Sequence, residues 1–372
     1  MTLLFYTVID IMSVIFLYIQ EKILKRKKFS LNPFYVDKRD IFGMVSFLLL
    51  VFVIVFRDNV GKDYALYVNA YLDIVHDNLS DMEYTWLSPG FILICDFIGS
   101  IASNNYYFMF GIFGFFSVYY LYRSICKMSV SAYQSLYLFI CFCLYYQFFN
   151  QFRQMLAVVI TLYALSYLVE HKRGYFSFYV FIATMIHSSS AVFFILWLIE
   201  KMCFNYKTFF LYVIVVVLGC VYFDNLMLFI QEQSSYGAIY IGWAIYDVAY
   251  GDSVVINTCV RLLLLLTCMI VYKDTVKRAN YTECLYNVAW LCTILQIFTL
   301  QSYLFGRITT YFFLPYIILL PEVVKTYEIK FGKYGIFVKV IFFICFALYH
   351  YVYYLLGGAT GSGYDEYNFI DL

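Results

Sequence analysis

The chain has 372 residues, of which 64% are apolar, 23% are aromatic and only 13% are charged. Soluble globular domains carry roughly 25% charged residues, so the composition excludes a soluble enzyme or binding domain. The formal net charge of +1 gives no sign of the basic surface that nucleic-acid-binding proteins present, and no nucleic acid is expected as a partner.

Apolar segments recur along the whole chain. A helix needs about 20 apolar residues to cross the hydrocarbon core of a bilayer, and inside a bilayer the backbone must satisfy its own hydrogen bonds. The predicted fold class is therefore all-α, a polytopic integral membrane helix bundle that forms one transmembrane domain over residues 1–372. The segments are predicted at 3–20, 41–56, 90–102, 106–122, 133–149, 154–169, 174–187, 189–199, 208–223, 254–272, 284–302, 308–321 and 337–356.

The basic residues predict the orientation, because loops rich in lysine and arginine stay on the cytoplasmic side. Of the 25 basic residues, all but five lie in loops that this rule places inside. Segment 90–102 is short and carries Asp96, so it is predicted to be a re-entrant or interfacial helix, which leaves about twelve crossings with both termini outside. The polar loops 57–88 and 224–253 then face outside. The five outer basic residues are Arg57, Lys62, Arg153, Arg261 and Arg307.

The first outer loop opens with RDNVGKDYALYVNAY at 57–71, which follows an apolar segment directly. It holds four charges within seven residues and tyrosines at the spacing of one helical face. One interpretation is a functional site at the membrane lip. The other is an interfacial helix with an aromatic belt and solvated charges. The charged residues are Arg57, Asp58, Lys62 and Asp63, and the tyrosines are Tyr64, Tyr67 and Tyr71.

Four of the outer basic residues are arginines, and a guanidinium group is suited to binding phosphate or carboxylate through two hydrogen bonds. Arg153 and Arg307 each open an apolar segment, and Arg261 lies about two turns inside another. A charge at that depth normally faces a cavity or a partner. Any one of these arginines could instead snorkel to the membrane surface or form a structural ion pair, but four together favour a binding function.

His187 lies in TMIHSSSAV, a polar break between two apolar segments with basic residues at both far ends. This pattern predicts a hairpin whose tip lies below the outer surface, inside the bundle. An imidazole there could act as a base or bind phosphate, although a lone histidine is more often structural. His76, His171 and His350 are interpreted as surface residues.

The second outer loop, 224–253, is aromatic and sparsely charged, as is typical of sugar-binding surfaces and equally of a membrane-interface belt. Eleven cysteines lie mostly inside apolar segments and are interpreted as small core residues. They predict no disulfide set and no metal site. Intramembrane charges other than Asp10 and Asp96 lie toward one side of the membrane, which argues against a transporter with a polar pathway from side to side.

Several short motifs resemble those of the EpsG family of exopolysaccharide proteins, which is related to Wzy-type polymerases of O-antigen and capsule. They include an arginine that ends the second apolar segment, a G-x-D-Y-x-x-Y pattern at 61–67, and Glu83 ahead of a Pro-Gly-Phe turn at 89–91. The others are FRQMLA at 152–157, IHSSSAV at 186–192 and GRITTYF at 306–312. The resemblance covers most of the chain.

The resemblance implies a polysaccharide polymerase at the outer face of the bacterial inner membrane. Its substrate would be an undecaprenyl-pyrophosphate-linked oligosaccharide, held beside membrane lipid. Arginines would bind pyrophosphate, and a carboxylate or imidazole would take the acceptor proton. A Wzz-like chain-length regulator is a candidate partner, and no cofactor or metal is implied. The implied catalytic residues are Glu83, Asp63, His187 and Arg153, and the implied substrate-binding residues are Arg57, Arg261, Arg307, Gln154, Tyr64 and Tyr67.

Three other functions remain open on the sequence. A GT-C glycosyltransferase that uses a polyprenyl-phosphate sugar would share the fold and an outer site, and Asp58 and Asp63 imperfectly match its paired acidic residues. An O-antigen ligase would differ chiefly in its acceptor. A membrane acyltransferase would need a histidine on the cytoplasmic side or buried, whereas His187 is predicted near the outer side.

Overall fold

A computed structural model describes residues 2–23, 25, 40–78, 87–203, 205–225, 228, 252–302, 304–353 and 358–370. These residues are overwhelmingly helical, and the two strands among them have two residues each. The elements up to the second outer loop are α1 (Thr2–Tyr18, continued by a π-helix, Ile19–Ile23), α2 (Ile41–Val55), β1 (Arg57–Asp58), α3 (Tyr64–Val75), α4 (Pro89–Ala102), α5 (Tyr107–Met128), α6 (Ala132–Cys141), α7 (Gln147–Asn150), α8 (Phe152–Leu168), α9 (Arg173–Ile186), a 3-10 helix (Ser188–Ile195), α10 (Leu196–Ile199) and α11 (Tyr206–Val221). After that loop come α12 (Asp252–Ile270), α13 (Tyr272–Arg278), α14 (Thr282–Phe298), α15 (Leu304–Phe313), α16 (Tyr316–Phe331), α17 (Lys333–Tyr353), α18 (Ala359–Ser362) and β2 (Asn368–Phe369).

The fold is that of a helical membrane protein. Among the described residues, three helices are long and apolar enough to cross a membrane, and the number rises to five if two bent helix pairs are each one span. The bent pairs are α12 with α13, at 65°, and α15 with α16, at 46°. Several further apolar helices are shorter. The predicted total of about twelve crossings and the single domain therefore stay predictions.

Several charged and polar contacts lie together at one end of the bundle, which we call the basic end. There Ser131 donates a hydrogen bond to Glu21 at 3.0 Å, Lys127 pairs with Glu170 at 3.4 Å, and Tyr281 donates to the Met128 carbonyl at 3.2 Å. The loops that meet at this end are those that the lysine and arginine pattern predicts to be cytoplasmic. The other end, called the outer end below, carries β1, the start of α3 and the tail of the chain.

Helix α4 is too short to cross the membrane, since 14 residues of helix span about 21 Å. At its start the Ser88 hydroxyl accepts a hydrogen bond from the Ser188 backbone N–H at 3.2 Å, beside the predicted hairpin tip. At its end the Ser103 carbonyl accepts from the Tyr71 hydroxyl at 2.7 Å, on α3. Gly90 lets α4 pack closely on α9, because a Cβ there would lie 2.6 Å from the Met185 carbonyl oxygen.

The apolar segment predicted at 133–149 is not one helix, since α6 ends at Cys141 and residues 142–146 form turns before the short helix α7. Cys143 has a φ of +57°, which ends the helical run. The side chains at this break are almost all apolar, so their hydropathy resembles that of an intact helix. Inside a membrane, irregular backbone is tolerated where protein covers it or where it lines a cavity. Residues 142–151 are called the broken tip below.

Residues 358–370, called the outer strap below, run back across the outer end of the bundle. Strand β2 pairs antiparallel with β1, and the Gly61 backbone N–H donates to the Gly363 carbonyl at 2.7 Å. The Tyr367 hydroxyl donates to the Val53 carbonyl of α2 at 2.9 Å. Chain segments that are distant in sequence therefore meet at the outer end.

Candidate functional site

A cavity of about 300 Å³ lies where the broken tip, α12, α14, α15 and the outer strap converge. Its lining is mainly polar, although it sits among apolar helices. The side chains that line it include two arginines, Arg261 and Arg307, and tyrosines from the tip and the strap, Tyr146 and Tyr364. The amide side chains that line it are Gln147, Asn150, Gln151, Asn257 and Gln296.

Arg261 projects from α12 and is held at the cavity wall by a hydrogen bond to the Gln296 side chain of α14. The Gln296 amide nitrogen donates in turn to Thr258 at 3.1 Å and to Thr299 at 2.8 Å. The Arg261 guanidinium lies 4.3 Å from the centre of the Phe313 ring. The Arg261 guanidinium thus lies within an apolar bundle and is oriented by the Gln296 side chain and by the face of the Phe313 ring.

Arg307, near the start of α15, joins the cavity to a second group of polar residues. Its backbone carbonyl accepts a hydrogen bond of 2.7 Å from the Gln154 side chain of α8. Asp63, just before α3, lies within electrostatic reach of it. Burial raises the pKa of the Asp63 carboxyl, and the charges of Arg307 and Lys62 oppose that rise. The Asp63 carboxyl is therefore partly shielded from water and lies near the positive charge of Arg307.

A hairpin is present at His187, because α9 ends at Ile186, the 3-10 helix begins at Ser188, and Arg173 at the start of α9 pairs with Glu200 after α10. Its predicted depth below the outer surface stays a prediction. The His187 Nδ1 lies 3.3 Å from the Ser189 hydroxyl, which is 3.1 Å from the Tyr311 hydroxyl. Both Arg153 and Arg307 lie within electrostatic reach of His187. The tip of this hairpin thus adjoins the Arg307 group and does not line the cavity.

Arg153 lies behind the cavity lining and is only 4% exposed. Its guanidinium is 4.9 Å from the Phe91 ring centre and 5.9 Å from the Tyr67 ring centre. Tyr67, at 6% exposure, is likewise a buried side chain. Neither residue lines the cavity.

Arg57 is fully buried in an aromatic cage at the base of β1 and does not line the cavity. Its Nη1 lies 3.3 Å from the Val60 carbonyl, whereas its Nε and Nη2 have no hydrogen-bond partner. Tyr64 forms part of the cage, stacks on Phe110 at 4.6 Å and donates to Asp58 at 3.2 Å. The four caging rings are those of Tyr64, Phe110, Phe149 and Phe152.

The structure therefore brings Arg261 and Arg307 to one cavity, and sets Asp63, His187, Arg153, Gln154 and Tyr67 beside Arg307. It leaves Arg57 and Tyr64 in a separate packed cage. Glu83 lies outside the described residues, as does nearly all of loop 224–253. No group of three His, Cys, Asp or Glu side chains suited to a metal occurs in the parts of the chain that the structure describes.

Sequence reasoning missed the cavity lining that comes from the broken tip and the outer strap. Asn150 is one such residue, and its side-chain amide donates to the Ser362 carbonyl of the strap at 2.7 Å. A usable signal existed in the tip, where NQFRQ puts three polar residues around Arg153 within an apolar stretch. The strap gave none, because it follows the last apolar segment as an ordinary polar tail.

Comparison with known proteins shows the family. The model of the EpsG family matches residues 40–369, which is most of the chain. No curated protein and no solved structure matches it.

Proposed function

The chain belongs to the EpsG family, a family of polysaccharide-polymerase-type membrane proteins, and from that premise we propose which reaction it catalyses. It transfers a growing glycan from undecaprenyl pyrophosphate to the terminal sugar of another lipid-linked repeat unit. The reaction takes place at the outer face of the bacterial inner membrane.

The observation that carries this proposal is the pair of arginines that lines one cavity. Arg261 and Arg307 come from different helices and meet at the same polar space. A diphosphate offers several negatively charged oxygens, and guanidinium groups bind such oxygens through charge-assisted hydrogen bonds. Negative charge grows on the leaving pyrophosphate during glycosyl transfer, so preorganised cations at that position stabilise the transition state.

The residues around Arg307 have supporting roles in this proposal. Gln154 holds the Arg307 backbone, so we assign it to positioning that arginine. Arg153 adds a second positive charge next to His187, in a site from which water is largely excluded. Asp63 orients Arg307 and, with His187 and Glu83, belongs to the set of bases that could take the acceptor proton.

The lipid tail of the substrate fits the surroundings of the cavity. Many side chains on α12 and α17 are apolar and exposed, among them Leu263, Leu266, Phe337 and Ile341. Such faces contact membrane lipid or a polyprenyl chain. A Wzz-like regulator of chain length is the protein partner that a polymerase of this kind would have.

The test is a transfer assay with purified protein. One synthetic undecaprenyl-pyrophosphate-linked repeat unit of the source organism is supplied without any nucleotide sugar. We expect a ladder of lengthened glycans together with free undecaprenyl pyrophosphate. The Arg261→Gln variant should form the ladder about 100-fold to 1,000-fold more slowly. Lys277→Gln, which removes an exposed cation at the basic end, should form it at the wild-type rate.

The other outcomes separate the competing functions. Transfer to a lipid A core acceptor, without self-polymerisation, would identify a ligase. Transfer of one sugar from a polyprenyl-phosphate donor would identify a GT-C glycosyltransferase. Either result would refute the polymerase and require a new assignment for the two arginines.

A further inference from the structure

The described part of the cavity lining offers no direct proton acceptor. Of the described residues that line it, none is a carboxylate or a histidine. Asp63 and His187 stand beside Arg307 and outside the lining. Glycosyl transfer to a hydroxyl group must nevertheless move a proton away from that hydroxyl. Among the described residues, a lining side chain that leads to a carboxylate gives this proton a second route, besides the bases near Arg307.

Tyr146, on the broken tip, is a lining side chain with a carboxylate behind it. Its hydroxyl donates a hydrogen bond to Oδ2 of Asp10, on α1. Asp10 is only 8% exposed, and its Oδ1 has no hydrogen-bond partner. Among the described residues no lysine or arginine forms an ion pair with Asp10. An intramembrane carboxylate of this kind is costly to retain and usually serves a function.

The Tyr146 ring is clamped on several sides. Tyr364 of the outer strap stacks on it with ring centres 5.0 Å apart, and His350 of α17 stacks at 5.6 Å. Tyr6 meets it edge-on at 5.2 Å. These ring contacts, from three separate elements, keep the Tyr146 hydroxyl pointing toward Asp10, as a proton relay requires.

We propose that Tyr146 and Asp10 form the proton relay of the transfer, which deepens the function proposed above and rests on it. The acceptor hydroxyl attacks the anomeric carbon, where a new C–O bond forms. The C–O bond to pyrophosphate breaks, and its electron pair leaves with the diphosphate toward Arg261 and Arg307. The acceptor proton passes to the Tyr146 oxygen as the Tyr146 proton passes to Asp10. Tyr146 is the catalytic residue and Asp10 a positioning residue that acts through it.

Asp10 lies outside the match to the family, which begins at residue 40. The neighbouring contact between Cys143 Sγ and His350 Nδ1, at 3.3 Å, also reaches the lining. The Tyr146–Asp10 pair is a better proton relay than the Cys143–His350 contact, because the Asp10 carboxylate can keep the proton that Tyr146 passes to it.

The test compares Tyr146→Phe and Asp10→Asn with the wild type in the ladder assay. Each variant should lower kcat by about 100-fold and leave KM within about threefold, since the relay acts on the chemical step. The double variant should be no slower than either single one. Asp10→Glu, which restores a carboxylate, should recover part of the rate.

Two control variants separate catalysis from packing. Tyr145→Phe removes a neighbouring buried hydroxyl that donates to the Leu50 carbonyl at 2.9 Å, and it should keep the wild-type rate. Asp96→Asn removes an exposed carboxylate of α4 and should do the same. If Asp10→Asn fails to accumulate in the membrane, Tyr146→Phe decides the matter, because it keeps the ring packing.

Three results would count against the proposal. A folded Tyr146→Phe variant with a rate close to wild type would refute the relay without refuting the proposed polymerase function. Additive losses in the double variant would show that the two residues act independently. A wild-type protein that makes no ladder from the correct repeat unit would remove both the relay and the proposed function.

Discussion

Replacing Gly61 with alanine should destabilise the protein and distort the cavity. Gly61 has a φ of +103°, a backbone conformation that costs a residue with a side chain about 1–3 kcal/mol. A Cβ would also lie 2.3 Å from the Phe149 carbonyl oxygen and 2.8 Å from its carbon, both of them backbone atoms. Overpacking of this kind costs about 1–3 kcal/mol more. We therefore expect a loss of about 2–6 kcal/mol in the free energy of unfolding.

The assay is thermal unfolding of the purified protein in detergent, followed by tryptophan fluorescence, together with the ladder assay. The Gly61 N–H also binds the outer strap at Gly363, so the displaced backbone should open the cavity wall and slow transfer. Gly174→Ala is the matched control, because a Cβ there meets nothing within 4 Å and alanine favours helix. Equal melting temperatures for Gly61→Ala and wild type would refute the reasoning.

Three further predictions follow from the site. Arg261→Lys should slow transfer about 10-fold to 100-fold, because lysine keeps the positive charge but cannot form two parallel hydrogen bonds to a phosphate. Arg261→Gln, which also loses the charge, should slow it about 100-fold to 1,000-fold. Equal rates for the two variants in the ladder assay would contradict this. Burial raises the pKa of Asp63, so the folded state holds the Asp63 proton more tightly than the unfolded chain does. Stability therefore falls as the pH rises from the pKa of Asp63 in the unfolded chain to its higher pKa in the folded state. Asp63→Asn should therefore melt higher than wild type at neutral pH, by a margin that shrinks toward pH 4, and transfer more slowly; a margin independent of pH would contradict it. A chain that lacks residues 358–372 should insert in the membrane and make no ladder, as measured by membrane fractionation and the same assay, and normal ladders would show that the outer strap is dispensable.

The sequence predicted the features that follow from the cost of burying charge. Arg261 lies deep in an apolar segment, so a cavity or partner was expected for it, and the structure places it at a cavity wall. The hairpin at His187 was predicted because three serines interrupt an apolar stretch between basic ends. Both predictions rest on local sequence and on the properties of the bilayer.

Contacts between distant residues could not be predicted in this way. Tyr146 and Asp10 are 136 positions apart, and the sequence shows Asp10 only as a charge out of place. His350 was wrongly interpreted as a surface residue, whereas it is half-buried against Cys143 and Tyr146. The sequence did not predict the break after Cys141, because the side chains there are apolar and hydropathy does not distinguish an unwound apolar stretch from a helix.

The outer strap has a consequence for how the protein is made. Residues 358–370 follow every other element of the cavity wall in the chain, so the ribosome delivers them after all the helices that carry arginines. Only after those helices have been made can they pair with β1 and cover the cavity at Ser362 and Tyr364. A partly synthesised or partly inserted chain lacks this wall. The cavity is thus completed only at the end of synthesis, after every helix that lines it.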